Sequence, residues 1–219
     1  MRIFTPTFEM PFAGHPTLGT AHVVRALARA GDAITLEMRA GLIHVTAIGD
    51  EWTLAANPPR SRLVDDTRVE LAAMLGIATD DVLDGARWVD TGVEQLLVPL
   101  RSPESVRRCR PDPALLARHA RDAAGRYHVY VFAESGTTDV RARFFFEGVA
   151  LTEDPATGSG CANLGGWFVA ANRPRPLTRT VHQGDEVGRP SRLGLRVDAN
   201  GGIFVCGGVV EVGWGVVAV

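Results

Sequence analysis

The chain contains no lysine, so all 23 positions counted as Lys or Arg are arginine. This excludes chemistry that rests on a lysine of this chain: a pyridoxal phosphate Schiff base, a P-loop lysine or an amine nucleophile. Cysteine is scarce. Cys109, Cys161 and Cys206 are odd in number and lack C-x-x-C spacing, which argues against a disulfide or zinc framework and for reduced thiols in a cytoplasmic protein. No apolar run is long enough to span a membrane, and the opening MRIFTP lacks the basic and apolar regions of a signal peptide. The arginines alternate with acids, as in RLVDDTRVE, and form no basic stripe with interleaved aromatics, so nucleic acid is not an expected partner. A net charge of −2 and 46% hydrophobic residues describe a soluble globular protein with enough chain for a sizeable core.

Of what is present, the stretch EDPATGSGCANLGGW (Glu153 to Trp167) carries the most chemistry. It reads as an acidic turn feeding a small-residue loop that opens an apolar helix. Two carboxylates there meet several backbone N–H groups without helical partners, a place suited to an anion. The plainer alternative is that Asp154 or Thr157 only caps the helix. A second copy favours function: Arg2 to Ala21 aligns with Arg143 to Ala162 without a gap, matching Arg2 with Arg143, Phe4 with Phe145, Gly19 with Gly160 and Ala21 with Ala162. The chain therefore reads as two related halves, the first ending near Asp84-Gly85, whose helix starts could face one cleft.

Along the chain, Arg2 to Thr5 is a short strand, Thr5 to Phe12 a connecting loop, and AGHPTLGTAHVVRALARAG a helix with Pro16 in its first turn and Gly31 past its end. Leu18, Ala21, Val24 and Leu27 nearly surround that helix, which predicts a helix wrapped by sheet. Three alternating segments between Ala33 and Ala56 predict an antiparallel meander. A helix near Asp66 to Leu75 follows, then the strands ARWVDTG and EQLLVPL. Short helices come next near Glu104 to Arg108 and Pro113 to Ala123, with strands at Tyr127 to Glu134 and Asp139 to Phe146. After the central helix come four more strands, ending with EVGWGVVAV. His119 and His128 read as ordinary surface or strand histidines.

Glu9, His15, Glu153, Asp154, Thr157 and Ser159 would converge if the two loops oppose each other. No G-x-S-x-G elbow, H-E-x-x-H pair, G-x-G-x-x-G after a strand or metal-type cluster accompanies them. Acids and a histidine for proton transfer, with amides for an anion, suit cofactor-free acid–base chemistry on a small carboxylic acid.

Three stretches carry a resemblance: FTPTFEMPFAGHPTLGTAHV (Phe4 to Val23), EDPATGSGCANLGGW, and HQG with GRPS (His182 to Ser191). In order and over nearly the whole chain, they resemble the PhzF (phenazine biosynthesis) family of the diaminopimelate epimerase-like fold. The resemblance implies an α+β fold of two similar halves, each a mixed, largely antiparallel sheet curled around a central helix, with the last strand returning to the first half, so that residues 1–84 with 208–219 form the first half and residues 85–207 the second. It further implies a homodimer, no cofactor, and isomerisation by proton relocation on a small carboxylate, dihydro-hydroxyanthranilate-like or amino-acid-like, while the cytoplasm and the lack of a membrane partner are expected from composition alone.

Position by position, His15 after Gly14 matches the family's active-site histidine and Asp154 its active-site aspartate. Thr157, Gly158, Ser159 and Gly160 match the helix start that binds the substrate's acid group. The two-cysteine pair of the wider fold falls at Ala13 and Pro155, which disfavours thiol racemase chemistry, and Cys161 reads as a small core residue. The resemblance also implies a segment before Phe4 that bears a Ser-Glu-Thr-like motif with the principal acid/base glutamate, and no residue here matches it. The expectation is therefore impaired isomerase activity, and a first central helix with an apolar flank near Leu18, Val24 and Leu27 that needs a partner. The rival expectations are a non-catalytic small-acid binding protein and a degenerate remnant.

Overall fold

A computed structural model of the chain describes residues 1–4, 9–10, 12–122, 125–147 and 151–216. They pack into two compact units, Met1–Leu54 with Cys206–Val219, and Ala55–Val205. Residues 55–84, read from the sequence as part of the first half, pack in the second unit. The physical reason is burial: Leu71, Met74 and Leu75 sit in one core cluster with Trp88, Val98 and Phe145.

In the first unit the strands β1 (Ile3–Phe4) and β2 (Glu9–Met10) pair antiparallel, so Glu9 lies in a strand and not in the expected loop. Thr5 to Phe8 and Pro11, the rest of that loop, lie outside the described residues. Helix α1 (Gly14–Ala28) follows, then the antiparallel meander β3 (Ala33–Met38), β4 (Gly41–Ile48) and β5 (Glu51–Ala55). Alternation assigns the faces: Ile34, Leu36, Met38, Val45, Ala47 and Trp52 are buried and their neighbours largely exposed. The core of the unit is closed by Ile3 and by Ala21 of α1, with Leu18 and Val24 partly buried against it. Among the described residues α1 is not wrapped. Only Thr17 and Ala21 are buried on it, while Val23 and Leu27 stand 51% and 83% exposed.

The second unit begins with β6 (Arg60–Leu63), α2 (Arg68–Leu75), β7 (Arg87–Asp90) and β8 (Glu94–Pro99). Then come α3 (Pro103–Arg108), α4 (Pro113–His119), β9 (His128–Ser135), β10 (Asp139–Glu147) and β11 (Leu151–Asp154). Helix α5 (Gly158–Ala170), β12 (Leu177–Gln183), β13 (Ser191–Val197) and β14 (Ile203–Gly208) complete it. The strand order is β14-β13-β12-β10-β9-β8-β7-β6 with β11 added to β10, and two of the pairings, β10 with β12 and β8 with β9, are parallel. Both faces of this sheet are covered, so its central strands read as apolar runs. Tyr130, Phe132, Ala142 and Phe144 face α5, while Val129, Val131, Ala133 and Phe145 face α2, α3 and α4.

Helix α2 starts with a capping box, in which Thr67 and Glu70 satisfy each other's backbone N–H groups. Helix α5 is the central element, with nine successive residues buried from Gly160 to Phe168. Cys161 is one of them. Within β14 the chain passes into the first unit at Cys206. The expected terminal strand is absent among the described residues: 209–216 have no regular structure, although Val209 N donates to the Asp50 carbonyl (3.0 Å). An isolated segment cannot satisfy a ladder of backbone groups without a neighbour to pair with. Residues 217–219 lie outside the described residues.

Candidate active site

Asp154 closes β11, and its position follows from strand register. Leu97, Tyr130, Phe144 and Asp154 are paired in one row across β8, β9, β10 and β11, so their side chains share the α5 face of the sheet. Glu153, one residue earlier, points to the other face. There its carboxylate accepts from Arg143 Nε (2.9 Å) and Nη2 (2.6 Å), with both side chains nearly buried. Arg143 Nη1 also donates to the carbonyls of Val106, Arg107 and Cys109, so the pair fastens β10 and β11 to the end of α3. Burial also pushes the Cys109 thiol at this place up to about 12. Glu153 is thus removed from the converging set read from the sequence.

The Asp154 to Thr157 turn is held by the fully buried Gln183 of β12. Gln183 Nε2 donates to the Asp154 carbonyl (2.7 Å) and to Thr157 Oγ1 (2.9 Å), while its Oε1 accepts from Thr157 N (3.4 Å). A carbonyl can only accept and a backbone N–H can only donate, so the amide has one possible orientation. Thr157 Oγ1, already an acceptor, spends its proton on Asp154 Oδ2 (2.7 Å). The next residue, Gly184, has φ +87°, and a Cβ there would stand 2.6 Å from the Pro155 carbonyl oxygen, so the turn can lie against β12 only over a glycine.

Thr157 occupies the N-cap position of α5 without a side-chain capping bond. Its hydroxyl goes to Asp154, and the capping alternative fails for it. The N–H groups of the first turn, Gly158 to Gly160, lack helical acceptors, as at any helix start. Tyr130 packs its ring under this turn, where a Cβ on Gly160 would fall 2.4 Å from Tyr130 Cδ2. Behind Ser159 runs a second amide chain. Asn163 Oδ1 accepts from Thr91 N (2.9 Å) and Thr91 Oγ1 (2.7 Å), Asn163 Nδ2 donates to the Val93 carbonyl and Gln95 Oε1 (both 2.9 Å), and Gln95 Nε2 donates to Ser159 Oγ (3.0 Å).

The second unit thus brings together Asp154, Thr157, Gly158, Ser159 and Gly160. Gly14 and His15 are the first two residues of α1 in the first unit, where His15 is exposed. Glu9 is bound by Arg2 through two hydrogen bonds (3.0 and 2.8 Å), with Arg39 3.7 Å away. The Arg2 hydrogen bonds and charge hold its carboxyl below the usual carboxylate range. Sequence reasoning missed Gln95, Asn163 and Gln183. The signal for the last was its place in HQG, and for the other two an amide inside an otherwise apolar strand or helix. Among the described residues no group of three or more His, Cys, Asp or Glu side chains could hold a metal ion, and no helix is long and apolar enough to cross a membrane.

The chain is 37% identical over 217 residues to an uncharacterized isomerase of Pasteurella multocida, covering 98% of this chain and 73% of that protein. Among solved structures, a predicted epimerase of Pseudomonas aeruginosa superposes with a TM-score of 0.76 at 27% identity, covering 94% of this chain and 74% of its own. A phenazine biosynthesis protein of the PhzF family from Bacillus anthracis shares the fold with a TM-score of 0.79 at 20% identity, over 94% of this chain and 76% of that one. The model of the PhzC-PhzF family, phenazine biosynthesis-like protein, matches residues 1–205, and the chain belongs to that family.

Proposed function

We propose that the chain is a cofactor-independent isomerase of the cytoplasm that relocates a proton on a small carboxylic acid, cyclic or amino-acid-like. The observation that carries this reading is the Asp154 carboxylate, which accepts from Thr157 while Gln183 holds the Asp154 backbone carbonyl, beside a helix start that no threonine side chain caps. Asp154 takes or returns the proton, the amides of Gly158 to Gly160 with Thr157 hold the substrate's carboxylate, and Gly14 and His15 keep the roles the family resemblance gives them. Taking a proton and returning it is work that positioned side chains can perform. The protein acts as a homodimer.

Relocation needs a second proton-transfer group. Glu9 and Glu153 are both engaged by arginines. That engagement favours a second reading, in which residues 1–219 bind the acid and turn it over slowly or not at all. Solvent deuterium entering a bound dihydro-hydroxyanthranilate, monitored by NMR, supports the isomerase, provided Asp154→Asn and His15→Gln each abolish it. Binding without label supports the binding protein, and no binding of any small acid refutes both.

A further inference from the structure

Ser159 is exposed at the first turn of α5, yet the network behind it is closed to solvent: Gln95 is 2% exposed and Asn163 fully buried. The polarity of that network is fixed at its far end. Thr91 N–H can only donate, so Asn163 presents Oδ1 to it. Asn163 Nδ2 must then face the Val93 carbonyl and Gln95 Oε1, and Gln95 is left with Nε2 toward Ser159 Oγ. Having accepted from Gln95, the Ser159 hydroxyl has its own proton to give outward. A second mark of a ligand at this turn is independent of the network. Tyr130 is fully buried with its ring against Gly160, its hydroxyl has no hydrogen-bond partner, and Asp154 and Cys161 lie close enough to act on it electrostatically. The Ser159 hydroxyl and the helix amides offer protons at this turn, and the Tyr130 hydroxyl of the ring packed beneath it has no acceptor.

We infer that Gln95 and Asn163 are positioning residues that lock Ser159 as an outward hydrogen-bond donor, so that the start of α5 takes its ligand as an ionised carboxylate and discriminates against the matching amide. The inference rests on the acid-binding reading above. A carboxylate accepts from every donor at the turn, whereas an amide must turn an N–H₂ group toward some of them.

The test is calorimetric titration of the full chain with 2-aminobenzoate and with 2-aminobenzamide. The chain is expected to prefer the carboxylate. Ser159→Ala and Gln95→Met should each weaken 2-aminobenzoate by about tenfold, the worth of one hydrogen bond to a charged group, and leave 2-aminobenzamide nearly unchanged. The double variant should lose no more than Ser159→Ala alone, because Gln95 acts through Ser159. Losses that add in the double variant, or that are equal for the two ligands, overturn the inference. If Gln95→Met fails to fold, Ser159→Ala at the exposed position decides alone: selective loss of the carboxylate supports the donor role and an unselective effect overturns it. Binding of 2-aminobenzoate that ignores both residues overturns the relay and leaves the acid-binding reading standing, whereas no binding by the unaltered chain overturns both.

Discussion

Glu153 and Asp154 are neighbours in the chain and face opposite sides of the sheet, one bonded to buried Arg143 and the other to the threonine that opens α5. Their substitutions should therefore separate stability from chemistry. Glu153→Gln leaves Arg143 charged and buried and is expected to cost about 3–5 kcal/mol in urea unfolding. Asp154→Asn keeps an oxygen for Thr157 and should change stability by no more than about 1 kcal/mol, while ending deuterium exchange into a bound acid. Equal effects of the two on unfolding would contradict the assignment of faces.

The two glycines that flank Ser159 should behave differently. A Cβ on Gly158 meets nothing within 4 Å, whereas one on Gly160 meets Tyr130 ring carbons at 2.4 and 2.5 Å. Gly158→Ala is expected to leave the thermal midpoint unchanged or slightly raised. Gly160→Ala overpacks the turn against a fully buried ring and should cost about 1–3 kcal/mol. A Gly160→Ala protein as stable as the unaltered chain would mean that the turn and Tyr130 can move apart.

Much of the fold was legible because alternation and turn chemistry act locally. The meander between Ala33 and Ala55 and the all-apolar helix α5 come straight from the pattern of residues. The same alternation could have told Glu153 from Asp154, since consecutive strand residues face opposite ways. What no local pattern carries is the partner across space. Leu71, Met74 and Leu75 show an apolar face without saying that Trp88 and Phe145 cover it. Val210, Val212, Trp214 and Val216 show strand alternation without saying that no described strand pairs with them. The amides of Gln95, Asn163 and Gln183 gain their roles only from backbone and side-chain groups up to 72 positions away.

His128 is buried in β9, with its Nε2 2.5 Å from the Glu94 carbonyl. Burial is the largest influence and pushes its pKa below the ordinary histidine value near 6.5, outweighing the Glu94 carbonyl and Asp122, which favour the charged form. In the unfolded chain the ring takes up a proton below about pH 6.5 while the folded protein resists it, so the unfolded state binds more protons in that window. Stability from this group is complete above about pH 6.5 and falls as the pH drops toward the folded-state value. His128→Gln should remove that part of the slope between pH 6.5 and 5 in urea unfolding, and an unchanged slope would assign the titration elsewhere.

The last prediction concerns the apolar surface of the first unit. Leu27 is 83% exposed on α1, and Val210, Val212, Trp214 and Val216 are 80 to 99% exposed in the closing segment. In an extended chain those alternate positions project to one side, with Glu211, Gly213 and Gly215 on the other. Such a surface gains by leaving water, and a second copy of the chain brings an equivalent one by symmetry. Sedimentation velocity is expected to show a concentration-dependent dimer. Leu27→Glu and Trp214→Ser should each shift it toward monomer with little change in the unfolding midpoint, since both side chains are exposed in the single chain. A monomer at every concentration, with a Trp214 emission that does not shift on concentrating the protein, would refute the proposed dimer.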